Sequence, residues 1–366
     1  MNKKPNPEQN PAQNPAQNPA QNPAQNPAQN PAQNPDQNPE QNGGKNPEQT
    51  SSGRGRFWPS LRIAFSMYSR LPVRETEWSD ENMRLSLACF PLVGAVEGLI
   101  YFALFSLLLF LVGIPAPGAP VTTAAADAAG ALSVTAGDAA AAPGAAGTAR
   151  LLARTLISAA LLTLFPLWYT GGIHMDGFLD TADALGSNAP RERKLEILKD
   201  PHAGAFALIS CGAVLILSFA CHAAMLLAAA EHPAAGLLAA VAVAWGFVFS
   251  RSAVGLLLMT IPNARRAGSA WAFTEAAERS RRTVKRVLTV FLVLSLLFVN
   301  MNTLVSPVGG LCGLFSILPA AWGALSGRRT ALLKFGGITG DLCGYTLVLT
   351  ELLTLAGTAA FLAFFF

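Results

Sequence analysis

LSLACFPLVGAVEGLIYFALFSLLLFLVG, residues 85–113, decides the fold. Glu97 is the sole charged side chain in it, and it exceeds the roughly 20 residues a helix needs to cross the hydrocarbon core of a bilayer. Working outward, comparable apolar stretches follow near 150–170, 205–230, 237–262, 287–305, 310–326 and 345–366. The whole chain of 366 residues is 51% hydrophobic and only 13% charged, about half the charge of an average soluble domain. The expected fold is therefore all-α: a polytopic membrane bundle of about seven transmembrane helices.

The loops between these stretches set an orientation. Basic residues concentrate in 171–204 (Arg191, Arg193, Lys194, Lys199), in 263–286 (Arg265, Arg266, Arg279, Arg281, Arg282, Lys285, Arg286) and in 327–344 (Arg328, Arg329, Lys334). The alternate loops, 114–149, 231–236 and 306–309, have no Lys or Arg. Under the positive-inside rule this alternation places the N-terminus and the three basic loops in the cytoplasm. A formal net charge of +4 suits a membrane face and not a nucleic-acid groove.

Residues 1–52 repeat an NPAQ or NPEQ tetrapeptide, too polar and proline-rich to fold, and are expected to be a disordered tail dispensable for chemistry. Residues 53–366 form the membrane-embedded catalytic domain, interrupted by a low-complexity Ala/Gly/Pro/Thr stretch, 114–149, expected to be a flexible insertion. The segment from Phe57 to Arg84 mixes aromatic, apolar and basic residues, as an interfacial amphipathic helix or a packed juxtamembrane segment would. Five widely spaced cysteines, none in a CxxC pair, read as apolar packing residues, and the polar N-terminus has no apolar core of a secretory signal.

The chemistry concentrates in GGIHMDGFLDTADALGS, 171–187. Asp176, Asp180 and Asp183 stand at i, i+4 and i+7, one face of a helix. Three converging carboxylates repel one another unless a cation neutralises them, and Mg²⁺ takes carboxylates together with substrate phosphate oxygens. A solvated acidic helix start is the plain alternative. His174, two residues upstream of the first aspartate, suits a general base, a ligand or a hydrogen-bonded interface residue. Lys199, in KDPHAG, could neutralise phosphate or serve topology alone. Glu97, Arg251 and Glu351 lie inside apolar spans, where charge is expensive. Arg251 fits either a phosphate-binding cavity or an intramembrane ion pair with Glu97. Asp341, among the glycines of GGITGDLCG at 336–344, could complete an ion shell.

In this order, FSMYSRLPV (65–73), CFPLVGAVEGL (89–99), GGIHMDGFLDTADALGS (171–187), RERKLEILKDPHAGAF (191–206), SRSAVGLLLMTIPNAR (250–265) and GGITGDLCG with Glu351 resemble the cobalamin synthase (adenosylcobinamide-GDP ribazoletransferase) family. The likeness spans about 57–356, and HMDGFLDTADA is its most specific string; the tail and the insertion depart from it without touching a motif. It implies joining of adenosylcobinamide-GDP to α-ribazole or its 5′-phosphate with release of GMP, dependence on Mg²⁺, and a cytoplasm-facing site in a bacterial inner membrane. Within that chemistry the spacing suggests the roles: Asp176 and Asp180 are expected as metal ligands, Asp183 as ligand or base, Asp341 as completing the shell, and Arg251 and Lys199 as steadying phosphates. Homo-oligomerisation or association with other nucleotide-loop enzymes is left open.

Two other classes compete. A CDP-alcohol phosphotransferase also displays clustered aspartates, but in an order beginning Asp-x-x-Asp-Gly with Ala-Arg after it; here Asp-Gly comes first. A transporter would line a pathway with Glu97, Arg251 and Glu351, yet the chemical groups gather in loops and no repeated half is visible.

Overall fold

The computed structural model describes residues 53–113, 143–305 and 307–366. Among them every regular element is helical, with one isolated bridge pairing Asn263 and Ile338. The tail and most of the expected insertion lie outside the described residues. The insertion's last residues, however, open a helix, because Pro143 suits a first turn and the alanines after it favour continuation.

The order is α1 (Gly53–Tyr68), α2 (Asp80–Met83), α3 (Ser86–Gly113), α4 (Pro143–Thr170), α5 (Ile173–Gly186), α6 (Arg191–Ile197), α7 (Ala205–Glu231), α8 (Pro233–Thr260), α9 (Ser269–Glu278), α10 (Arg281–Val305), α11 (Pro307–Thr330) and α12 (Gly340–Phe365). A five-residue π-turn, Ala331–Phe335, extends α11 toward the loop before α12. Among the described residues, six helices are long and apolar enough to cross a membrane: Ser86–Gly113, Gly147–Thr170, Ala205–Glu231, Pro233–Thr260, Val308–Phe335 and Gly340–Phe365. They coincide with six of the seven expected spans. The other, 287–305, falls on α10, a helix whose first two turns carry Arg281, Arg282, Lys285 and Arg286 and which is not one of the six.

Burial separates the centre from the rim. In α8, 61% of the most apolar stretch is buried, and in α12 50%, against 33% in α3, α4 and α7. Leu99, Phe110, Leu161, Leu164, Ile209 and Ile216 stand exposed on the rim helices, as they would when lipid is the solvent. Interior prolines such as Pro91 and Pro166 are accommodated within these spans, as membrane helices tolerate. Helix α1 combines both readings of its sequence: Ile63 and Ala64 enter the core while Trp58 stays exposed. The cysteines are free, and Cys89, Cys221 and Cys312 are buried as packing residues.

Candidate active site

Helix α5 leaves α4 through Gly171 and Gly172, both at positive φ (67° and 83°), a turn that costs glycine little. Asp176 lies exposed in its first turn, where the helix dipole favours a carboxylate. Asp180 follows one turn on, half-buried. The N-terminus of α12 docks here at van der Waals limits. A Cβ on Gly177 would fall 2.8 Å from Asp341 Cα, and one on Gly344 2.6 Å from the His174 carbonyl oxygen. Glycine at both positions lets the two helices touch, and the contact sets Asp341 beside Asp176 and Asp180.

The electrostatics carry the mark of that crowding. Burial pushes the Asp180 carboxyl up to about 6, and the charges of Asp176, Asp341 and Asp183 add to the shift. Asp341 accepts from Arg265 Nη2 at 3.1 Å and from Thr339 Oγ1 at 3.3 Å. Thr339 also caps α12, accepting from the Leu342 amide at 3.2 Å. Arg265 is delivered by a loop stitched to the glycine-rich segment: Ile338 N donates to Pro262 O at 2.8 Å, and Ala264 N to Ile338 O at 2.9 Å. Sequence reasoning saw Arg265 only as a topological charge; its place in an Asn-Ala-Arg turn gave no sign of the pairing with Asp341.

Asp183 is placed differently from its two neighbours. Its carboxylate accepts from the backbone amides of Gly204 and, at 2.9 Å, of Ala207. It thereby caps α7, whose own preceding residue, Gly204, has no side chain to do so. A cap of this kind contributes about 1 kcal/mol. One such bond reaches each oxygen, so the residue expected as ligand or base is held as an anchor between α5 and the start of α7. The i+7 spacing put it on the right face but could not show which amides would claim it.

The expected phosphate contact at Arg251 is also redirected. Arg251 is wholly buried, with Nη2 donating to Glu97 and Nη1 to Glu351 at 2.5 Å, to Phe247 O at 3.1 Å and to Ser250 Oγ at 3.3 Å. The ion-pair reading holds, with a second carboxylate that the sequence did not assign to it. The network ties α3, α8 and α12 together. Lys199 stands exposed on the turn after α6, while Lys194 is the buried lysine, its Nζ donating to Ala189 O. His174 is buried with Nε2 unpartnered, its ring stacked on Tyr68 at 5.9 Å. Burial, then the Arg251 charge, holds its pKa well below the usual imidazole range, so the ring is neutral.

Among the described residues no three His, Cys, Asp or Glu side chains stand ready-made around an ion. The donor chemistry nevertheless fits a hard divalent cation. Asp176, Asp180 and Asp341 offer oxygen ligands of like charge on an accessible surface, and Asp180 is penalised for carrying its charge without a counter-ion.

Comparison with known proteins finds relatives along most of the chain. The chain is 34% identical over 304 residues to the adenosylcobinamide-GDP ribazoletransferase of Lachnoclostridium phytofermentans, covering 83% of this chain and 94% of that one. It is 32% identical over 305 residues to the protein of the same name from Pseudomonas putida (83% and 98%) and 31% identical to that of Pseudomonas paraeruginosa (82% and 97%). No solved structure matches the chain significantly. The model of the cobalamin-5-phosphate synthase family matches residues 60–137 and 110–359, a range that takes in every residue of the acidic cluster. With relatives above 30% identity along nearly their whole length as well, the chain belongs to the cobalamin-5-phosphate synthase family.

Proposed function

We propose that this protein is an adenosylcobinamide-GDP ribazoletransferase that works with Mg²⁺ at the cytoplasmic face of the membrane. The observation that carries the reading is the meeting of Asp176, Asp180 and Asp341 at the α5–α12 contact, in a chain of this family. A hydroxyl oxygen of α-ribazole, or of its 5′-phosphate, forms a bond to the cobinamide-side phosphorus. The bond from that phosphorus to the bridging oxygen breaks, GMP leaves with that oxygen, and the hydroxyl proton passes to a base. Asp176, Asp180 and Asp341 would hold the cation, which supplies charge neutralisation at the diphosphate. Arg265, already beside Asp341, is set to take a phosphate oxygen when a cation competes for that carboxylate. The reading is tested by following GMP release from adenosylcobinamide-GDP plus α-ribazole on protein in lipid nanodiscs. Release that requires both substrates and Mg²⁺ supports it; release untouched by chelation defeats the metal role.

Arg265 gives a separate expectation. Arg265→Ala should lower kcat/KM for adenosylcobinamide-GDP by about 10–100-fold, the worth of one charge-assisted phosphate contact, with KM carrying much of the change. Arg265→Lys should recover part of it. A variant with unchanged KM would remove Arg265 from the phosphate.

The cytoplasmic location rests on the basic loops, which flank the acidic cluster in sequence. A cysteine introduced at Ser187, just past α5, should resist an impermeant thiol reagent in intact cells and react once the membrane is opened. Labelling in intact cells would reverse the orientation.

A further inference from the structure

The stretch FSMYSRLPV (65–73) has a place in the fold but no task in the chemistry proposed above. Helix α1 ends at Tyr68, whose ring packs on Phe90 at 4.4 Å and stacks on His174 at 5.9 Å. Two residues on, Arg70 N donates to Tyr169 O at 2.7 Å. Tyr169 and His174 bracket Gly171 and Gly172, the turn that opens α5, so this segment is held on both sides of the turn. The Arg70 stem crosses it: a Cβ on Gly171 would stand 3.2 Å from Arg70 Cγ and 3.5 Å from Cδ. The turn leads straight to the acidic cluster, since Asp176 N donates to Gly172 O at 2.9 Å. An exposed guanidinium is thus fixed beside the helical turn that carries Asp176.

Among the described residues this guanidinium has no ion pair and no hydrogen bond. Membrane topology asks for charge and not for place. Arg74, on the irregular segment that follows, meets that need with only its neighbour Thr76 bonded to its backbone. A second unpaired arginine, Arg191, lies against Gly336, where its guanidinium leaves no room for a Cβ. It shares the glycine-rich segment before α12 with Arg265, the partner of Asp341. Cations therefore stand at two edges of the cluster: Arg191 and Arg265 where α12 begins, Arg70 where α5 begins.

The transfer itself assigns those edges. In a roughly in-line displacement the acceptor enters opposite the leaving nucleotide. With the donor's phosphates on Arg265 and Arg191, the acceptor's edge is that of Arg70. A cobalamin-5-phosphate product requires an acceptor that already carries its phosphate, whereas a ribazoletransferase is named for the acceptor without it. That phosphate lies one sugar away from the attacking hydroxyl, outside the shell of a cation held by the aspartates. A dianion placed near three carboxylates needs a positive partner of its own. Arg70 is free at that edge, and its planar fork matches phosphate oxygens.

We propose that Arg70 binds the 5′-phosphate of the acceptor and so sets the preference for α-ribazole 5′-phosphate over α-ribazole. The proposal rests on the transferase reading above and adds the residue that selects between its two acceptors.

GMP release by protein in nanodiscs gives KM for each acceptor and for the donor. Wild type should show the lower KM for α-ribazole 5′-phosphate. Arg70→Ala should raise that KM about 10–100-fold, the worth of one charge-assisted contact. KM for α-ribazole and for adenosylcobinamide-GDP should stay within about twofold. Arg70→Lys, which keeps the charge and loses the fork, should recover part of the loss. Arg74→Ala should alter none of the three. If Arg70→Ala loses folded yield, Arg70→Gln, which keeps most of the stem over Gly171, should give the same split. A merely structural role for Arg70 would move both acceptors together. Equal change with both acceptors, no change with either, a rise confined to the donor, or a wild type without preference overturns the proposal. A wild type that releases no GMP with either acceptor defeats the transferase reading instead. Equilibrium binding of the two acceptors, which needs no turnover, then decides Arg70: the phosphorylated one should bind tighter and lose that advantage in Arg70→Ala, and equal affinities overturn the assignment.

Discussion

Asp176→Asn and Asp341→Asn are each expected to lower GMP release by about 10²–10³-fold, the usual cost of removing one group that stabilises charge developing in a transition state. Both changes keep the side-chain shape and remove only the charge. Asp176 is exposed, and its charge contributes to the raised pKa of Asp180, so its loss relieves repulsion in the metal-free protein. Thermal stability should therefore hold or rise slightly as activity collapses. That opposition separates a functional carboxylate from a structural one. Asp176→Asn with near wild-type turnover would remove this residue from the chemistry, and a large loss of stability would make its role architectural.

The second large effect belongs to the buried network. Arg251→Met leaves Glu97 and Glu351 facing each other in the core of the bundle with no cation between them. Breaking such a buried pair costs about 3–5 kcal/mol, much of a typical domain's margin, so little folded protein should be recovered from membranes. The triple change Arg251→Met, Glu97→Gln and Glu351→Gln should regain most of the folded yield, because no uncompensated charge remains. Size-exclusion profiles and thermal melts of the three proteins check this. A stable Arg251→Met single variant would show that the guanidinium is not what joins α3, α8 and α12. The network is also a weak candidate for phosphate binding, since its guanidinium is taken by two carboxylates and wholly buried.

What the sequence disclosed, and what it withheld, follows from the range of the interactions. Spans were legible because each reports its own hydrophobicity; only α10 departs, where four basic residues share a helix with an apolar run. Asp176 and Asp180 were legible because i, i+4 spacing is a local property of one helix. Asp341 joins them through a contact between α5 and α12 that Gly177 and Gly344 permit, and the glycines of GGITGDLCG hinted at it. Asp183 shares their local pattern but is claimed by amides of another segment, 204–207, and no spacing rule foresees that. Arg265 was hidden for the same reason: a bridge between residues 262–264 and 338 brings it to Asp341. A cavity lined by Tyr101 and His222 draws on six helices, and single-helix periodicity has no signal for it.

The most direct test of an ion among these carboxylates is Mn²⁺ binding to the purified protein in nanodiscs, followed by electron paramagnetic resonance and competed with Mg²⁺. Since Asp180 in the metal-free state titrates near 6, a cation must displace its proton at lower pH. Binding should therefore tighten as pH rises through about 6 and level off above it. The expected result is one Mg²⁺-displaceable site, lost in Asp176→Asn, Asp180→Asn and Asp341→Asn and kept in Asp183→Asn. Equal binding in wild type and in the three lost-site variants, or a site abolished by Asp183→Asn alone, would contradict it.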